Sequence, residues 1–134
     1  MRKRVLVAGV VAAAAAAVSV RAQTVRTPRV GSAERNAILD AIRPSVESKF
    51  KVPIEFVVSK LSVSGNMALV IALPQPRGGG ELPWQNFLSQ DEYELGGVEV
   101  SAVVRKDAGR WTLVESGIGA TDVWWVNMVP NRLL

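Results

Sequence analysis

The sequence predicts an α+β fold, with one amphipathic N-terminal helix laid across a four-stranded antiparallel sheet. Two observations carry that expectation. Apolar residues recur at three- and four-residue steps between Ile38 and Phe50, then change to a period of two from Pro53 onward. The second half also holds two strand, turn, strand patterns, hinged on "SGN" at 64–66 and "KDAGR" at 106–110.

Taken in order, residues 1–22 read as an export address. Arg2-Lys3-Arg4 is a cationic start, Val5 to Val18 is a run of 14 apolar or glycine residues, and Ala22 is a small residue before Gln23. That is the layout of a Sec signal peptide cleaved after Ala22, too short for the roughly 20 apolar residues that span a bilayer. The expected product is soluble and periplasmic or secreted, with no membrane contact after cleavage. An uncleaved N-terminal anchor is the alternative.

Cleavage alters the charge. Removing Arg2, Lys3, Arg4 and Arg21 from the 16 basic residues leaves 12 against 12 acidic ones, so the calculated pI of 10.0 belongs largely to the precursor. With no basic patch visible along residues 23–134, a nucleic-acid partner is not expected.

Residues 23–31, "QTVRTPRVG", have no periodicity and read as a flexible lead-in to a single α+β domain over 32–134. Ser32 is a good N-cap, Glu34 suits the first turn, and Ile38, Ile42, Val46 and Phe50 form the apolar stripe. Pro44 within it predicts a kink or two abutting short helices.

Ile54, Phe56 and Val58 alternate, but the odd step from Val58 to Leu61 predicts a β-bulge at Ser59-Lys60. Met67 to Leu73 is apolar throughout, the pattern of a strand covered on both faces, and Pro74 is expected to stop it. Residues 75–97 then form a long excursion holding Gly78-Gly79-Gly80, Trp84 and Tyr93, of the kind that is either functional or mobile. Strands return at Val98–Val104 and from Trp111 toward Gly117, with Trp111 and Leu113 in phase as core.

Without histidine or cysteine, the Ser-His-Asp triad, thiol nucleophiles and ordinary zinc sites are excluded. Ser48-x-x-Lys51 has the spacing of a serine-lysine pair, but neither partner motif follows it, and the triple glycine lacks the Gly-Lys-Ser/Thr of a phosphate loop. Asp91, Glu92 and Glu94 read as a solvated acidic turn. No catalytic residue, metal site or cofactor is expected.

The tryptophans are the unusual resource. Adjacent Trp124 and Trp125 cannot both bury fully against one sheet, so one is expected to plug the core and the other to reach the surface, where indoles favour binding patches. A C-terminal segment that closes the sheet and half hides both rings is the plainer alternative. The candidate binding residues are therefore Trp84, Tyr93, Trp124 and Trp125, and the expected partner is an envelope protein or cell-wall component, bound without turnover.

The stretches "AILDAIRPSVESKF", "PIEFVVSKLSVSGNMALVIALPQP" and "GRWTLVESGIGATDVWW" resemble small exported bacterial proteins of uncharacterised role. That resemblance implies location and fold alone. A helix across an antiparallel sheet also resembles the cystatin arrangement. Gly31, Leu61-Ser62-Val63-Ser64-Gly65 and Pro83-Trp84 are similar to the glycine, hairpin and Pro-Trp elements by which cystatins inhibit papain-type proteases. Leu61 stands where cystatins have glutamine, and Pro83-Trp84 falls one connection too early. The enzymatic alternative is a hydrolase or isomerase of nuclear-transport-factor-2 type, with Asp40 or Tyr93 as base.

Overall fold

The residue types dictate the central helix, α1, which runs from Ala33 to Phe50. The Ser32 hydroxyl accepts from the Arg35 N–H at its start, and Lys51 ends it in the left-handed region at φ 63°, its N–H donating to the Glu47 carbonyl. Ile38, Ile42, Val46 and Phe50 are its buried face. Pro44 does not divide it: Asp40 and Pro44 both lie on the exposed side, where the carbonyl that loses its helical partner is open to solvent.

The structure, a computed structural model, describes residues 24–134. The expected signal peptide and its cleavage after Ala22 lie outside the described residues. The fold is α+β as expected, but the sheet has five antiparallel strands, not four. They are β1 (Val25–Arg26), β2 (Ile54–Ser64), β3 (Met67–Pro76), β4 (Val100–Asp107) and β5 (Arg110–Ile118), neighbouring one another in chain order. The additional strand is β1, which pairs Val25 with Ser64 and Arg26 with Val63. The segment expected to be a flexible lead-in thus supplies a strand, and α1 is the second element rather than the first.

Strand facing follows the sequence pattern closely. The register of β2 against β3 slips between Val58 and Lys60, leaving Ser59 as the extra residue, its hydroxyl donating to the Ile71 carbonyl. In β3 the even-numbered Ala68, Val70 and Ala72 meet α1 in one core, while Leu69, with Met67 and Ile71, belongs to a second cluster on the other face. β3 does not stop at Pro74. Ile54 turns its N–H to Glu47 and its carbonyl to Arg43, away from β3, so its cross-strand partner Pro76 and, two residues back, Pro74 also direct their backbone nitrogens away from β2. The prolines therefore leave the β2 ladder intact and block β4, whose pairing with β3 ends at Ala72 and Val100.

Residues 77–99 are organised rather than open. A 3₁₀ turn at Trp84–Asn86 is pinned under α1 by the Asn86 amide donating to the Phe50 carbonyl, and a short helix α2 spans Gln90–Gly96. The α2 start is a capping box: the Ser89 hydroxyl accepts from the Glu92 N–H and the Glu92 carboxylate accepts from the Ser89 N–H. Those hydrogen bonds, the backbone one foremost, hold the Glu92 carboxyl below its ordinary range. Beyond β5 the chain crosses to the sheet face opposite α1, where Val129 and Leu133 cover Leu69 and Val103.

Candidate functional site

The four aromatic residues singled out by the sequence form two pairs, not one site. Trp84 and Tyr93 stack at 4.1 Å with an interplanar angle of 11°, beside the helix-side core. Trp124 and Trp125 meet edge to face at 5.7 Å on the opposite sheet face. Both of the latter are half-buried, as in the plainer expectation of a segment that half hides the two rings; neither plugs the core. The Trp124 indole N–H donates to the Ser101 hydroxyl at 2.9 Å, and a Cβ on Gly117 would stand 3.0 Å from that nitrogen. Trp124 therefore fastens the C-terminal segment to β4 and β5, leaving its polar atom committed within the fold.

The antiparallel order sorts the remaining chemistry toward two ends. At one end lie the β2–β3 and β4–β5 turns, β1 and the start of α1; at the other lie the end of α1, the start of β2 and residues 77–99. These ends stand roughly 30 Å apart, from 11 residues of β2 at about 3.3 Å each. The hairpin end gathers Arg26, Arg29, Arg35, Arg105, Lys106, Arg110 and Arg132, with Glu34, Asp40 and Asp107. The loop end gathers Glu47, Glu55, Glu81, Asp91, Glu92, Glu94 and Glu99, with Arg43, Lys49, Lys51 and Arg77. Charge balance along the chain thus conceals a basic pole and an acidic pole, correcting the expectation that no basic patch exists. The Debye length is about 8 Å at physiological salt, so a partner at one pole responds to that pole and not to the sum.

Pairing sharpens the basic pole. Each carboxylate there is already engaged: Glu34 by Arg26 at 2.6 Å, Asp107 by Arg105 at 2.9 Å, and Asp40 by Arg43. The Arg26 hydrogen bond holds the Glu34 carboxyl below its usual range and raises the Arg26 guanidinium. The side chains of Arg29 and Arg110 have no partner among the described residues, and Lys106 lies 6.0 Å from the Trp111 ring. An open groove of about 440 Å³ runs between α1 and the β4–β5 turn, lined by Ala37, Asp40, Ala41, Gly109, Arg110 and Trp111. Asp40, a candidate base, sits at this groove, exposed and ion-paired, whereas Tyr93, the other, stacks on Trp84 at the far pole.

The acidic pole carries exposed apolar surface. Phe87, Tyr93 and Leu95 are 43%, 37% and 79% exposed, and from Gly78 to Val104 the chain has five carboxylates and no cation. Phe87 sits edge-on to Phe50 at 6.1 Å with the Lys49 ammonium 5.2 Å from its ring, so the patch stands on a fixed base. Sequence reasoning missed Phe87 and Leu95; the signal was the S-x-x-E box at Ser89, which fixes a helix whose turns then present Leu95 to solvent. Comparison with family models, with curated proteins and with solved structures returned no match.

Proposed function

We propose that the protein is an exported, non-enzymatic binding domain, periplasmic or secreted, that recognises an envelope protein through its acidic, aromatic pole. The carrying observation is the exposure of Phe87, Tyr93 and Leu95 among Glu81, Asp91, Glu92, Glu94 and Glu99, on a segment braced against α1. Apolar anchors ringed by one sign of charge favour a partner with an apolar cleft bordered by lysine or arginine. The signal-like start of the chain supports the location. The helix across an antiparallel sheet supports a cystatin-like arrangement and kinship with small exported bacterial proteins. Papain-type protease inhibition is not part of this reading, because Gly31 and Gly65 belong to the hairpin end and Pro83-Trp84 to the other.

The test is affinity capture of the tagged protein from its own envelope extract. Leu95→Ser, at a side chain 79% exposed, is expected to weaken capture with little change in thermal midpoint; Phe87→Ser is expected to weaken it with a lowered midpoint, because that ring also packs on Phe50; and added salt is expected to weaken capture in the wild type. An unchanged set of captured proteins with Leu95→Ser and with Phe87→Ser overturns the reading.

A further inference from the structure

The cationic pole has a partner of its own. From the placement of its charges and of the chain's entry point, we infer that this end docks on an anionic membrane surface. Three observations converge. First, Arg29 and Arg110 stand at the helix-start and hairpin-tip end without an ion-pair partner among the described residues, and Lys106 beside them acts through space on Glu34, a carboxylate that Arg26 already holds. The other carboxylates there are each held by another arginine, so the end carries surplus positive charge. Surplus cations each add about fivefold to binding at a surface of anionic lipid headgroups, and they act within a Debye length of it.

Second, an apolar residue stands among them. Val30, next to Arg29, is 84% exposed, the pairing of cation and protruding apolar side chain that suits the headgroup region.

Third, the chain enters the described body at this same end. Val25 lies opposite Ser64 at the last position of β2, which places Thr24 beside the β2–β3 turn. Residues 1–23 carry the apolar run Val5–Val18 and its flanking Arg2, Lys3, Arg4 and Arg21. The described body is therefore joined to that segment through its basic end and not through its acidic one.

A bilayer leaflet fits these features better than a nucleic acid does. The one large aromatic ring at the pole, Trp111, is almost wholly buried and presents no stacking platform for bases. This inference is independent of the proposed protein partner, which concerns the opposite end.

The experiment is partition of the full chain onto unilamellar vesicles of phosphatidylcholine alone, or with about one third phosphatidylglycerol. The reading is the ratio of anionic to neutral partition, in which apolar binding common to both vesicles cancels. Arg29→Gln, Lys106→Gln and Arg110→Gln together are expected to lower that ratio by a factor of about 100. Lys49→Gln, Lys51→Gln and Arg77→Gln remove the same charge from the acidic pole and are expected to leave it unchanged. Equal loss in both triple variants would make net charge the cause and overturn the assignment. So would a wild-type ratio near one, or tighter binding to a short DNA duplex than to the anionic vesicles. Matching thermal midpoints keep unfolding out of the comparison.

Discussion

Replacing Trp124 by phenylalanine removes one N–H and strands the hydroxyl of Ser101, a side chain only 4% exposed. A buried polar group left without its partner costs about 1–3 kcal/mol, so Trp124→Phe is expected to lower the thermal midpoint by several degrees. Thermal unfolding followed by circular dichroism checks it, and a stability equal to the wild type's would mean that the indole does not fasten the segment. The neighbouring Trp125 donates no hydrogen bond among the described residues and meets Trp124 edge to face. Residue identity therefore separates the two indoles where the adjacent letters in the sequence did not: what distinguishes them is a serine 23 positions upstream.

At the scale of elements, β1 depends on a single side-chain clasp. The Arg26 guanidinium donates two hydrogen bonds to the Glu34 carboxylate, tying a two-residue strand to the first turn of α1. Because the Glu34 carboxyl sits below its ordinary range in the folded protein, the clasp contributes fully above the unfolded value, near 4.3, and is lost as the pH falls through the folded one. Both side chains are partly exposed, so its worth is under about 1 kcal/mol. Glu34→Gln is expected to speed hydrogen exchange in β1 at neutral pH, with the difference from wild type vanishing in acid. An undiminished difference at low pH would assign the effect to something other than the ion pair.

Elements held by their own periodicity are legible in the sequence. The α1 stripe, the Ser59 bulge and the two-faced β3 each repeat within a few residues, and packing then follows the repeat. β1 was not legible, since Val25–Arg26 is a strand only by virtue of Val63 and Ser64, nearly forty positions away. α2 left a local signature in Ser89 and Glu92, but three neighbouring acids made it read as a turn.

For the whole molecule, the decisive property is the separation of charge. It could not be seen along the chain because Arg26, Arg105 and Arg110 come together only when the strands turn back on one another. With poles roughly 30 Å apart, each longer than several Debye lengths from the other at moderate salt, neutrality in sum is no neutrality at either end. The charge-balanced chain lacking residues 1–22 is therefore expected to be retained on both cation- and anion-exchange resin near neutral pH at about 0.05 M salt, where the Debye length of about 14 Å is under half the separation. Elution profiles on the two resins check this; flow-through on either one would mean that the poles are locally compensated.

Gly96 and Gly119 bring two distant stretches to backbone contact: a Cβ on Gly96 would fall 1.9 Å from the Gly119 carbonyl oxygen, and one on Gly119 would fall 2.5 Å from that of Gly97. The last turn of α2 and the departure of the tail from β5 thus share a single crossing with no room for a methyl group. A side chain at either glycine would push the two stretches apart, so α2 and the root of the tail hold their places jointly: loosening one on its side of the sheet frees the other on the opposite side.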